Sequence, residues 1–150
     1  RMPFVEVPSR AGDGPPLRIF YVLRGNEGGA RLLMLQGFAA DHHGWDSNFA
    51  DLDKDYHICA IDNRGIGQSS APVDPSEYTT DLMAQDAFCV MDAVGWDKAH
   101  CAGHSMGAMV VMKMVAMHPQ RVLSASLLSV TGGGLHAFPP LTSLWLFVKI

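Results

Sequence analysis

Gly103-His104-Ser105-Met106-Gly107 is the stretch of this 150-residue chain whose residue types and spacing could make and break a covalent bond. A serine that is to attack a carbonyl must lift its hydroxyl past the end of a strand. The sharp bend this requires leaves no room for Cβ atoms on either side, and glycine at 103 and 107 meets that need. The same bend holds the serine in a strained backbone conformation. It also leaves the next amide, that of Met106, at a helix N-terminus, where the peptide dipoles favour a developing oxyanion. The chemistry implied is attack on an acyl carbon with Ser105 as nucleophile. The plainer reading is a Ser/Gly turn between two core elements, and the flanking elements decide against it.

An apolar run over 99–102 precedes the bend and a helix-like run over 108–118 follows, which is the strand, bend and helix order the mechanism needs. Upstream, Phe4–Val7 reads as a short strand, and the Gly- and Pro-rich stretch 9–16 turns into a second over 17–23, ended by the glycines around 25–29; together they predict an antiparallel hairpin. The continuous apolar run 32–35 has the character of a strand covered on both faces. Trp45, Phe49 and Leu52 then recur at helical spacing, and Tyr56–Ile61 returns to strand. After the Pro72 and Pro75 punctuation, Thr80 or Asp81 is positioned to cap a helix carrying Leu82, Ala87, Val90, Met91 and Val94, with Gly95 ending it. A last strand is predicted over 122–130. Strands alternating with helices after an initial hairpin imply an α/β fold with a doubly wound, mostly parallel sheet, whose ligands sit at the carboxyl ends of the strands. Ser105 lies at such an end.

Composition narrows the partners. At 48% apolar and 17% charged residues the chain has the makings of one globular core. A formal net charge of −4 without a basic patch disfavours nucleic acid. No run reaches the eighteen or so apolar residues of a membrane span, and the opening residues, Arg1-Met2, do not begin a signal sequence, so the cytoplasm is the expected compartment. Cys59, Cys89 and Cys101 each fall within apolar runs and read as reduced core residues. His42-His43 could be mistaken for a metal site, but adjacent histidines rarely face one ion and no carboxylate or cysteine spacing supports zinc, so neither metal nor cofactor is expected.

Two further stretches carry chemistry or its scaffolding. Asp62-Asn63-Arg64-Gly65-Ile66-Gly67-Gln68-Ser69 follows the Tyr56–Ile61 run; its glycines allow positive φ, and its Asp and Arg can tie the loop to neighbouring backbone. A dinucleotide-binding loop is the rival reading. It fails because Ser70 stands where a third glycine is needed and Ala71-Pro72 cannot open a helix. Ser129-Val130-Thr131-Gly132-Gly133-Gly134-Leu135 closes the last strand. With the Gly-x-Ser-x-Gly bend, the Asp-x-Arg-Gly-x-Gly-x-Ser turn and this segment in order, the chain resembles the N-terminal half of an α/β-fold hydrolase, closest in look to plant aminoacrylate-hydrolase-like and esterase-like members.

The resemblance implies a core over 1–131 and the start of a lid over 132–150, with the fold cut after its sixth strand. It implies that Gln36-Gly37-Phe38 supplies the second oxyanion donor, the Phe38 amide beside that of Met106, although glutamine stands where the family has histidine. It places the triad acid and base on loops after later strands, so a missing C-terminal half is expected and the chain alone is expected to be catalytically incomplete. Among the histidines, His104 should point away from the nucleophile, His118 lies about 20 Å away at ~1.5 Å per helical residue, His57 and His100 begin strands at the far edge, and His136 falls in the lid; only His42 or His43 is near enough to approach Ser105. The expected substrate is a small molecule with an acyl bond. A receptor-like ligand-binding protein on the same fold, or a truncated product without activity, are the alternatives. The exposed sixth strand would make self-association possible.

Overall fold

The computed structural model describes residues 3–9 and 15–130, and the expected lid segment lies outside the described residues. The elements are β1 (Phe4–Val7), β2 (Leu17–Gly25), β3 (Ala30–Leu35), α1 (Asp46–Leu52), β4 (Tyr56–Ile61), α2 (Thr80–Ala93), β5 (Ala99–His104), α3 (Met106–Met117) and β6 (Val122–Leu128), with short 3-10 turns at His42–Trp45, Pro75–Glu77 and Pro119–Arg121. They build one six-stranded sheet in the order β1-β2-β4-β3-β5-β6. The predicted hairpin forms, with β1 antiparallel to β2, and β2 in turn runs antiparallel to β4. From β4 onward every pairing is parallel.

The apolar run of β3 is buried because it is central, paired with β4 on one side and β5 on the other. Leu35 aligns with Ile61 across one pairing and with Gly103 across the other, so the three strands end level. The loops that leave them, at 36–41 and 62–70, and the bend at 105 therefore gather at one edge of the sheet. Each parallel crossover returns through a helix, and this is what brings segments so distant in sequence to one place.

Helices α2 and α3 cover one face of the sheet. Val90, Met91, Val110, Val111 and Met114 pack there against Ile19, Leu33, Leu35, Cys59 and Cys101. On the other face Trp45 and Phe49 cover Leu32, Met34, Ile58, Ala60 and Ala102. Beyond them a groove of about 260 Å³ opens over His100, Ser124, Ser126 and Leu128. Along β6, Leu123, Leu127 and Leu128 are exposed. No helix among the described residues is long and apolar enough to cross a membrane.

Boundaries moved where local chemistry was misread. The cap of α2 is Thr79, whose hydroxyl accepts from the Leu82 amide, rather than Thr80 or Asp81, because a cap must keep an extended backbone and Thr79 does. Gly95 follows the helix at φ 77°, the left-handed position expected of a helix stop. Strand β5 continues to His104 and α3 begins at Met106, so the bend between them is a single residue.

Candidate active site

That single residue is Ser105. It caps α3 with φ 52° and ψ −117°, a region in which non-glycine residues are strained. Its amide donates to Leu128 O on the neighbouring strand, and its carbonyl accepts from Ala108 and Met109 at the first turn of the helix, so the conformation is held from both sides. The glycines act by closeness. A Cβ on Gly103 would stand 2.4 Å from Gly107 O, and one on Gly107 would stand 2.2 Å from Leu35 O. Strand β5, helix α3 and the end of β3 thus touch through backbone alone.

The loop after β3 lies against this turn. A Cβ on Gly37 would come 3.0 Å from Ser105 Cβ, which places the backbone leading into Phe38 beside the Ser105 side chain. Phe38 itself is 82% exposed, and Ala39 follows at φ 59°. Among the described residues neither the Phe38 nor the Met106 amide has a hydrogen-bond acceptor, and the Ser105 hydroxyl has no partner.

Gln36, standing where the resemblance leads one to expect histidine, supports this loop with its side chain. Its buried Oε1 accepts from the Gly37 amide at 3.2 Å and lies 3.2 Å from His104 Nδ1, while its backbone carbonyl accepts from Asn63 Nδ2 at 3.0 Å. One residue therefore joins the loops after β3, β4 and β5. His104 joins this network through Nδ1.

The loop after β4 is held by charge. Arg64 is 1% exposed, its Nε and Nη2 each donating at 2.8 Å to the carboxylate of Asp86, and its Nη1 donating to Glu77 through both Oε2 and the backbone carbonyl. Ser9 donates to the other Glu77 oxygen at 2.6 Å. Burial works against the charge on Arg64, but the hydrogen bonds it donates to Asp86 and the charges of Asp86 and Glu77 outweigh it and leave the guanidinium more firmly protonated than usual. Asp86 is lifted above the usual carboxylate range by burial first, with the Glu77 charge adding and Arg64 opposing. Asp62 is fully buried; it accepts from the amides of His42 and Gln68, and Gly67 is packed so close that a Cβ there would strike the carboxylate. The expectation that the Asp and Arg tie the loop to backbone holds for Asp62. For Arg64 it covers one bond, the remainder being an ion-pair network that spacing in the loop could not reveal. A sequence signal existed: Asp86 lies between Met83, Ala84, Ala87 and Val90 on the face of α2 that becomes buried.

The two histidines that follow the Gly37-Phe38 turn each pair with a carboxylate. His42 is buried, with Nδ1 2.8 Å from Asp62 Oδ1. His43 is exposed, with Nδ1 3.0 Å from Asp46, whose hydrogen bond raises the imidazole above its usual range. His100 pairs with Ser124 on β6. The cysteines are free thiols; burial pushes Cys59 beyond the ordinary thiol range and Cys101 up to about 12, which leaves both inert at neutral pH.

A strained serine thus stands between a parallel strand and a helix, with the Gly37-Phe38 turn from the neighbouring strand packed on its side chain. The chain belongs to the α/β hydrolase fold family, whose model matches residues 30–149. Epoxide hydrolase 4 of Mus musculus is 29% identical over 107 residues, covering 71% of this chain and 30% of that protein. The dihydrolipoyllysine-residue acetyltransferase component of the acetoin cleaving system of Cupriavidus necator is 37% identical over 124 residues, 81% of this chain and 32% of that protein. Among solved structures, a bacterial membrane phospholipase A superposes with a TM-score of 0.75 at 32% identity, over 87% of this chain and 40% of its own. The chain spans about a third of the length of the curated relatives it matches.

Proposed function

We propose that this chain carries the nucleophile and oxyanion hole of a serine hydrolase acting on a carboxylic ester or related acyl bond of a small molecule. The observation that carries the reading is the Ser105 backbone at φ 52° with the Gly37 turn packed on its side chain. In the reaction, Ser105 Oγ attacks the acyl carbon and its proton passes to a base. The carbonyl oxygen takes up the negative charge between the Phe38 and Met106 amides, and the leaving alkoxide departs with a proton as the acyl-serine forms; water then releases the acid.

The names of the relatives span several chemistries, and the identity of the nucleophile favours one. If a serine hydroxyl opened an epoxide or displaced a halide at a saturated carbon, it would be left as an ether, which water does not cleave. If it attacks an acyl group it is left as an ester, which water does. The phospholipase and the acetyltransferase share acyl chemistry by name. We place the base and its orienting acid outside the described residues, because none of the imidazoles at 42, 43 and 104 hydrogen-bonds to Ser105; their Nδ1 atoms meet Asp62, Asp46 and Gln36 instead.

Labelling with a fluorophosphonate probe tests both parts. A longer form of the protein containing the later loops is expected to label at Ser105, and the 150-residue chain alone to label at least a hundredfold more slowly. Absence of labelling in the longer form defeats the nucleophile assignment, and rapid labelling of the short chain defeats the claim of incompleteness. A receptor-like protein would instead retain an acyl ligand without turning it over.

A further inference from the structure

The 3-10 turn at His42–Trp45 brings together two imidazoles and a carboxylate that the reaction above does not use. Ligand atoms of Asp41, His42 and His43, one from each residue, all lie within 4.8 Å of one another. The sequence argued against a metal here because adjacent histidines rarely face one ion and no carboxylate or cysteine spacing supports zinc. In the structure their rings lie 4.1 Å apart, centroid to centroid, inclined by 35°. Each ring also has its Nδ1 against a carboxylate, Asp62 for His42 and Asp46 for His43. An Nδ1–H donating to a carboxylate fixes the tautomer and leaves the Nε2 lone pair for an ion, which is the second-shell arrangement of metal-binding histidines. Asp41 accepts from the His43 amide through Oδ1, which leaves Oδ2 available. Behind these groups the loop is anchored, with His42 and Asp62 buried and Asp41 packed near Gly67.

We infer that Asp41, His42 and His43 form a site for a borderline divalent transition ion of the zinc class, set on the turn between the loop that carries Phe38 and helix α1. Two imidazole nitrogens and one carboxylate oxygen suit such ions better than calcium or magnesium, which take oxygen ligands. The ligand atoms are spread wider than in a closed tetrahedral site, and the exposed His43 is the member free to move inward. An ion there would fix the turn that follows the Phe38 loop and take no part in the chemistry.

Titration of the metal-free 150-residue chain with zinc chloride at pH 7.5, followed by calorimetry, tests the site without any enzymatic assay. One zinc per chain is expected. His43→Ala and Asp41→Asn, which retains a cap oxygen, should each weaken binding at least tenfold with the far-ultraviolet circular dichroism unchanged, whereas His118→Ala, a distant exposed histidine, should not. No binding by the parent chain overturns the site. So does binding that His43→Ala weakens by less than tenfold, or that His118→Ala weakens as much.

Discussion

Two loops at the same edge of the sheet are held by opposite means. The bend at Ser105 is shaped by side chains that are missing: Gly103, Gly107 and Gly37 let backbone meet backbone or the Ser105 side chain, and no ion pair among the described residues is involved. The loop after β4 is shaped by side chains that are buried and charged, Arg64 between Asp86 and Glu77, with Asp62 accepting from amides around it. Closeness admits no substitute, because any added atom must displace main chain. A charge network can be replaced, provided all its members go together.

The largest effect should come from the first kind of loop. Gly107→Ala puts a Cβ against Leu35 O, where neither the strand nor the helix can yield, and is expected to cost at least about 4 kcal/mol in denaturant unfolding or to prevent folding. Arg64→Met leaves two carboxylates buried without their cation and should cost about 3–5 kcal/mol. Replacing Arg64, Glu77 and Asp86 together by apolar residues should recover most of that loss, and if it does not, the contrast between the two loops fails. Gln36→Leu removes the acceptor shared by the Gly37 amide and His104 and is expected to cost about 1–3 kcal/mol, with slower labelling of Ser105 in a form that has the complete site. Ser105→Gly goes the other way. By relieving the strained φ it should add about 1 kcal/mol to stability while abolishing fluorophosphonate labelling.

The same contrast explains what could be read in advance. The Ser105 bend was legible because its requirement is local: a strand, a glycine on either side and a helix follow one another in the chain. The alternation of apolar strands and amphipathic helices gave the parallel sheet for the same reason, and the extent of β4 came out as read. What was missed depends on level strand ends and on helices returning to the sheet. Glu77 and Asp86 meet Arg64 only because the connection after β4 folds back on itself through the Pro75–Glu77 turn and α2, and Gln36 could be seen as a departure from the family pattern but not as a support until His104 and Asn63 stood beside it. The capping residue of α2 was off by one because neighbouring threonines differ only in backbone conformation. The pairing of His42 with Asp62, 20 residues later, likewise needed β3 and β4 side by side.

Gln36 has one more consequence. Since its backbone carbonyl accepts from Asn63 while its side-chain oxygen meets the Gly37 amide and His104, a disturbance introduced at Asn63 or at His104 reaches the Phe38 turn through this one residue. Thermodynamic cycles on substitutions at 63 and 104 should therefore show energies that do not sum, and the non-additivity should vanish once residue 36 is leucine. The three strand ends then behave as one mechanical part, so that reshaping the pocket by changing a single loop will retune the other two.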